Sequence, residues 1–217
     1  MRKLLAFLPL IALGACVDIP QPQRQTVRQS TAQFSPRPET RQCMAALGAT
    51  RAAFTPLPDQ YFGAGCSTLG TVRLSALRSD NASLALSNMG PVTCPLAQTF
   101  ADWARYGVDR AALQVLGSRL ARIETMGSYS CRNVAGSDRR SAHATANAID
   151  IAAFILADGR RISVLGNWAQ GTPSERQFLR IIHASACKRF GTVLGPAYNV
   201  AHANHLHVEL GGNSYCR

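Results

Sequence analysis

Lysine is almost absent from this 217-residue chain: of 23 basic residues, only Lys3 and Lys188 are lysine and the rest are arginine. Acidic residues are also few, 12 in all, which leaves a formal charge of +11. That balance favours anionic surroundings. The arginines are nevertheless scattered, no basic run interleaves with aromatics and no nucleic-acid-binding motif occurs, so nucleic acid is not an expected partner. No apolar run is long enough to span a bilayer, since the longest at the N-terminus covers only Leu4 to Leu13. There are no paired C-x-x-C steps, which argues against a structural zinc knuckle. There is also no internal repeat and no second domain boundary, so one domain with a tail is expected, monomeric and large enough for a substantial core.

What is present begins at the N-terminus. Arg2-Lys3 followed by the short apolar run has the form of a signal peptide. The run ends in Leu13-Gly14-Ala15-Cys16, which resembles the lipobox of bacterial lipoproteins. That resemblance implies a signal peptide over residues 1–15, lipid on Cys16, and a protein anchored in a membrane at the periplasmic face of the cell envelope. Several acyl chains would hold it stably, because one chain binds only marginally. Without Cys16 an even six cysteines remain, Cys43, Cys66, Cys94, Cys131, Cys187 and Cys216, which in an exported protein suggests three disulfides of open connectivity. Residues 16–42 carry Pro20, Pro22, Pro36 and Pro38 among polar residues with no apolar periodicity. They read as a disordered tether to a domain over 43–217.

Within the domain, Thr71–Leu77 and Ala82–Ser87 alternate like short strands. Helical spacing of apolar residues predicts helices over Pro95–Tyr106 and Asp109–Thr125, followed by a strand over Ser128–Arg132. Asn147–Leu156 is an apolar strand that the turn Asp158-Gly159 could fold back on Arg161–Leu165. Thr172-Pro173-Ser174-Glu175 combines a capping box with proline at the first helical position, and His183 lies inside the helix it starts. His205–Leu210 is the expected last strand. The fold class is mixed α+β: a small antiparallel sheet flanked by helices and stapled by disulfides, with the candidate site on a loop and two strands.

Histidine is scarce as well, five residues in all, yet four fall in two short stretches, Ser141–Asp150 and His202–Glu209. That concentration, with Asp150 in reach, reads as a metal site, because two histidines and a carboxylate form a known zinc ligand set with one open position. On a strand, His205, His207 and Glu209 would share one face while Leu206, Val208 and Leu210 pack on the other. Asp150 inside an apolar strand is costly to bury without a partner, and a zinc ion would supply one. His183 stands apart and reads as structural, and His202 also falls outside the chemistry.

The pattern Ser141-x-His143-x-x-x-x-Ala148-x-Asp150 followed by His205-x-His207 resembles the zinc peptidase superfamily of D-alanyl-D-alanine carboxypeptidases, murein endopeptidases and lysostaphin-type enzymes. Over most of Cys43–Cys216 the chain more closely resembles the bacterial extensin-like C-terminal domain family. It does so through Gly65-Cys66, Cys94-Pro95-Leu96-Ala97, Gly127–Arg132, Asn147–Ile151, Val193–Pro196 and the H-x-H strand. The resemblance implies a murein-peptidase-like fold with His143, Asp150 and His207 binding one Zn2+, Ser141 and Glu209 supporting them from outside, and His205 as the acid/base. Arg132 would contact substrate or the developing oxyanion. The implied reaction is hydrolysis of amide bonds in peptidoglycan stem peptides or cross-links. The implied rival is a wall-binding envelope lipoprotein that keeps the fold without catalysis. The sequence departs from the pattern at Ala142, where the family has an acidic residue, and at Ala203-Asn204, where carboxypeptidases carry a glutamate.

Overall fold

The computed structural model describes residues 37–211 and 214–217. The expected signal peptide, the expected lipidation site at Cys16 and the expected tether up to residue 36 lie outside the described residues. The folded chain starts ahead of Cys43, with helix α1 (Pro38–Ala49), which opens on proline and carries Glu39 in its first turn. The last residues assigned to the tether are therefore helical. Cys43 in α1 is disulfide-bonded to Cys94 at the start of α2, which ties this first helix to the domain.

Strands β1 (Ala53–Pro56), β2 (Gln60–Gly63), β3 (Cys66–Thr68), β4 (Thr71–Arg78), β5 (Ser83–Ser87) and β6 (Pro91–Thr93) come next. A long helical stretch follows as α2 (Cys94–Asp102), a π-helical segment Trp103–Asp109, and α3 (Arg110–Leu116). Then come β7 (Leu120–Gly127), a 3-10 turn Ala142–Thr145, β8 (Ala148–Leu156), β9 (Arg161–Ser163), α4 (Val164–Gln170) and α5 (Pro173–Cys187). The chain closes through β10 (Thr192–Leu194), a 3-10 turn Val200–His202, β11 (Leu206–Glu209) and β12 (Tyr215–Cys216). The main sheet runs β1-β4-β5-β7-β8-β11-β10-β12, with β6 on β4 and β9 on β8, while β2 and β3 form a separate hairpin. It is thus mixed α+β and disulfide-stabilised, but at ten strands the sheet is not small. Pairing is antiparallel except for β5–β7 and β10–β12. The β5–β7 pair is parallel because the chain between them crosses over through the long helical stretch.

Three expectations from periodicity are corrected. The helix expected over Asp109–Thr125 stops at Leu116, where Gly117 takes a left-handed φ of 72° and caps it. Leu120 and Ile123 continue the helical spacing by coincidence and are core residues of strand β7 instead. Buried Asp109 fixes this corner, accepting hydrogen bonds from the Leu120 amide at 3.0 Å and from Arg119 at 2.6 Å. The segment Ser128–Arg132 is a loop, because β7 already holds the place next to β8. Leu206–Glu209 is followed by a further strand, β12, held by the Cys187–Cys216 disulfide. All six expected cysteines are paired, the third bond joining Cys66 to Cys131.

The helices pack on the sheet around Trp103, whose buried indole N–H donates to the Ile182 carbonyl at 3.2 Å and whose ring meets Phe100, Phe154 and Phe190. Close approach of the π-helical segment to α5 requires Gly107: a Cβ there would lie 2.6 Å from Ser185 Oγ and 2.8 Å from Trp103 Cδ1. Helix α5 starts on the capping box read from the sequence, with Thr172 and Glu175 satisfying each other's backbone amides.

Strand β8 positions the site. Its residues Ile149 and Ile151 are fully buried, and so are Phe154 and Leu156 to within 1% exposure, although the two pairs differ in parity. The β7–β8 register shifts between Glu124 and Thr125, where Ala153 and Ile151 oppose successive residues of β7. This bulge resets the alternation, so apolar side chains reach the core at both ends while Asp150 points to the other face.

Candidate metal centre

Asp150 on β8 lies directly opposite His207 on β11, in a register that also sets Leu206 against Ile151 and Val208 against Ile149. These four apolar partners are fully buried, which places the polar pair together on the opposite face. The His207 ring N–H groups reach two carboxylates, Nδ1 to Asp150 at 2.9 Å and Nε2 to Glu209 at 3.2 Å. His143 arrives from the 3-10 turn before β8. Ser141 caps that turn, its Oγ accepting from the His143 amide, and Ala146 takes a left-handed φ of 55° so that the chain can enter the strand. His143 Nδ1 contacts the Ser128 carbonyl at 3.1 Å, which turns Nε2 toward Asp150 Oδ2, also at 3.1 Å. The two rings meet at 3.2 Å between His143 Nε2 and His207 Nδ1.

This donor set fits a metal ion. A tetrahedral zinc with bonds of 2.0–2.1 Å holds its ligand atoms about 3.3 Å apart. Asp150 Oδ1 lies 2.9 Å from His207 Nδ1, Asp150 Oδ2 lies 3.1 Å from His143 Nε2, and the two nitrogens are 3.2 Å apart, so the two rings meet different oxygens of one carboxylate. Each imidazole has its far nitrogen fixed by an oxygen, the Ser128 carbonyl or the Glu209 carboxylate, which is the usual outer support of a metal-binding histidine. Among the described residues a second group, His183, Cys187 and Cys216, also converges, but both cysteines are spent in a disulfide. His183 is structural as expected, its Nε2 against the Arg217 carbonyl and its ring edge-on to Trp168.

Electrostatics follow from this packing. Burial works to raise the Asp150 pKa, but hydrogen bonds from His143 and His207 outweigh it and hold the carboxyl well below its usual range. Burial likewise works to lower the pKa of His207, and the flanking carboxylates of Asp150 and Glu209 override it and raise it to about 9. Glu209, also pushed up by burial, is brought below its ordinary value by His207. The Asp150 and Glu209 carboxylates on either side therefore favour the protonated form of His207.

A family model described as the C-terminus of extensin-like protein matches residues 41–217. The chain belongs to this family. No curated protein and no solved structure matches the chain.

In the extensin-like domain the remaining candidates take distinct places. His205 is buried beside the ligand set, Nε2 at 3.4 Å from Asp150 and Nδ1 donating to Asn204 Oδ1 at 2.8 Å. Burial, with nearby His207 and Arg132, lowers its pKa. Arg132 is exposed on the loop after β7, its guanidinium reaching the Asn133 carbonyl at 3.4 Å and close enough to disfavour protonation of His205. The Cys66–Cys131 disulfide and the backbone contacts of Ser130 and Arg132 with His143 and Ser141 pin that loop over the site.

His202, set aside on sequence grounds, belongs to the same cluster. Its ring lies 5.0 Å from that of His205 and 6.0 Å from that of His207, and Asn199 accepts from Nδ1 at 2.7 Å. Burial and the neighbouring rings lower its pKa to about 4. Residues 200–202 form a turn that folds back on β11, which strand alternation alone did not reveal. Ser128, Asn199 and Asn204 were also missed; of these, only an asparagine directly preceding a candidate histidine gave a local signal.

Proposed function

We propose that this protein is a zinc-dependent hydrolase of amide bonds in peptidoglycan stem peptides or cross-links, related to the zinc peptidase superfamily. The observation that carries the reading is the convergence of His143, Asp150 and His207, with both imidazoles braced from behind and a neutral histidine beside them. Zinc held by His143, Asp150 and His207 would supply an acidified water with pKa near 7 and polarise the scissile carbonyl.

The chain's own residues account for the proton traffic. Because Nδ1–H of His205 is committed to Asn204, its Nε2 keeps a lone pair facing the site. Burial keeps that ring neutral, so it can take the nucleophile's proton and return it to the leaving amine. Glu209 and Ser128 hold the ligand rings in one orientation. Arg132, exposed and bound only weakly to a carbonyl, can turn toward the developing oxyanion. A net charge of +11 suits a wall polymer rich in carboxylates, and the N-terminal pattern suits a lipid anchor on Cys16 in the periplasm.

The test is to incubate the purified protein with peptidoglycan fragments, with and without added zinc, and to follow the muropeptide profile. New products that vanish in His205→Ala and Asp150→Asn are expected; an unchanged profile with zinc-loaded wild type refutes the reading. A non-catalytic wall-binding role is the second reading. It is favoured by Ala203-Asn204 standing where carboxypeptidases carry a glutamate, and it predicts wall binding that survives His205→Ala without turnover in either protein.

A further inference from the structure

Two pairs of aromatic rings adjoin the histidine cluster, one beside His143 and one against His202, and the proposed hydrolysis gives neither a task. In the first pair Phe62, at the tip of the β2–β3 hairpin, packs on Tyr129 with ring centroids 5.5 Å apart. Tyr129 sits between the two residues whose backbones clamp His143, since the Ser128 carbonyl meets His143 Nδ1 and the Ser130 amide donates to the His143 carbonyl. In the second pair Tyr198 meets the His202 ring at 5.4 Å and Tyr215 at 5.8 Å. His202 in turn touches His205, so this second row runs without a break into the site.

These rings are costly to leave in water. Phe62 is 52% exposed, and Tyr198 and Tyr215 are 43% and 44% exposed. The chain nonetheless holds them in place: the Cys66–Cys131 disulfide joins the hairpin to the Tyr129 loop, and the Cys187–Cys216 disulfide fixes Tyr215 on the sheet edge. Exposed apolar surface held rigidly beside a polar site marks a ligand surface.

Its chemistry selects the ligand. A lipid surface would need a continuous apolar patch, whereas here the rings alternate with imidazoles and guanidinium groups. Arg132 lies near enough to His202 and His205 to disfavour their protonation, and the Arg217 guanidinium lies over Tyr215 at 5.9 Å. A sugar ring matches this mixture, with a C–H face to lay on an aromatic ring and hydroxyl or carboxylate oxygens at its edge for arginine. We propose that the Phe62–Tyr129 and Tyr198–Tyr215 pairs are subsites for the sugar rings of a carboxylate-bearing glycan strand, which they hold across the metal centre. This proposal rests on the hydrolase reading only for what happens to the strand once bound.

The test is calorimetric titration of the metal-free protein with peptidoglycan glycan strands freed of their stem peptides. Saturable binding is expected, weakened about three- to tenfold by Phe62→Ala and by Tyr198→Ala, with nearly additive loss in the double variant. Leu165→Ala, which removes a 69% exposed apolar side chain on α4, should bind like wild type, and circular dichroism should show all variants folded. Strands that do not bind, variants that bind equally well, or binding of free stem peptides in place of strands would each overturn the proposal. Because no metal is present, turnover plays no part. Strands that bind, together with stem peptides and cross-links of whole peptidoglycan that the zinc-loaded protein leaves intact, would sink the hydrolase reading and leave the subsites standing.

Discussion

Loading the centre with zinc must expel a proton from His207, and the structure sets how much that costs. In the metal-free protein both nitrogens of this ring donate to carboxylates, and its pKa is raised to about 9. Zinc needs Nδ1, so the proton shared with Asp150 has to leave, while Nε2 keeps its bond to Glu209. At pH 7, two units below that pKa, the competing proton weakens zinc binding about a hundredfold, or about 2.7 kcal/mol. Asp150 is already ionised and adds no proton of its own. Calorimetry at pH 8 in buffers of different ionisation enthalpy should count about 0.9 proton per zinc from His207 and about as much again from a zinc-bound water of pKa near 7, and the affinity should rise more than tenfold from pH 7 to pH 8. An imidazole with the ordinary pKa of about 6.5 is neutral at pH 8, so release beyond the water's share is the proton held by the carboxylates. The stability of the metal-free protein runs the other way. The raised pKa means that the contribution of protonated His207 is complete below about pH 6.5 and is lost as pH rises through about 9. In Glu209→Gln, where one carboxylate is gone, the proton release should move to lower pH. Release of about one proton or fewer at pH 8, which the water alone supplies, or a zinc affinity flat between pH 7 and 8.5, would refute the clamped imidazolium.

Wild type purified with zinc should carry one ion, and Asp150→Asn should carry none while keeping its circular dichroism; metal analysis that finds zinc equally in both places the site elsewhere. Thr172→Ala breaks the capping box of α5 and should cost about 1 kcal/mol, lowering the melting temperature by roughly 2–4 °C. Gly107→Ala forces a methyl group against Ser185 and Trp103 and should cost roughly 1–3 kcal/mol by chemical denaturation; no loss would mean that α5 can move away freely. Asp109→Ala strips the buried partner from Arg119 and the Leu120 amide and should cost about 3 kcal/mol.

Signals carried within a few residues were legible in the sequence. The capping box at Thr172, the even cysteine count, the β4 and β5 alternation and the β8 run all gave elements close to those observed. Signals that depend on a partner strand were not. Leu116, Leu120 and Ile123 satisfy a helical period, and only the left-handed turn at Gly117 separates helix from strand. The β8 bulge is silent in a run as apolar as Ala148–Leu156, because apolar residues fill both parities. Within the site, ligand types and spacing were readable, but the brace on His143 is a backbone carbonyl, which any residue at position 128 would offer.

The cluster is held less by its own polar contacts than by the apolar residues behind it. Along β11, Leu206 and Val208 face the core while His207 and Glu209 face the site, and across the sheet Ile149 and Ile151 frame Asp150 in the same way. A slip of one residue between β8 and β11 would send His207 and Glu209 into the core and bring leucine and valine to the metal face. Burying those two polar groups unpaired costs several kcal/mol, and Leu206 and Val208 would lose about 1.5–3 kcal/mol each on leaving the core. Hydrophobic burial on one face of the sheet therefore fixes the register that brings the donors together on the other. That is why a carboxylate and an imidazole 57 residues apart in the chain stand 2.9 Å from each other.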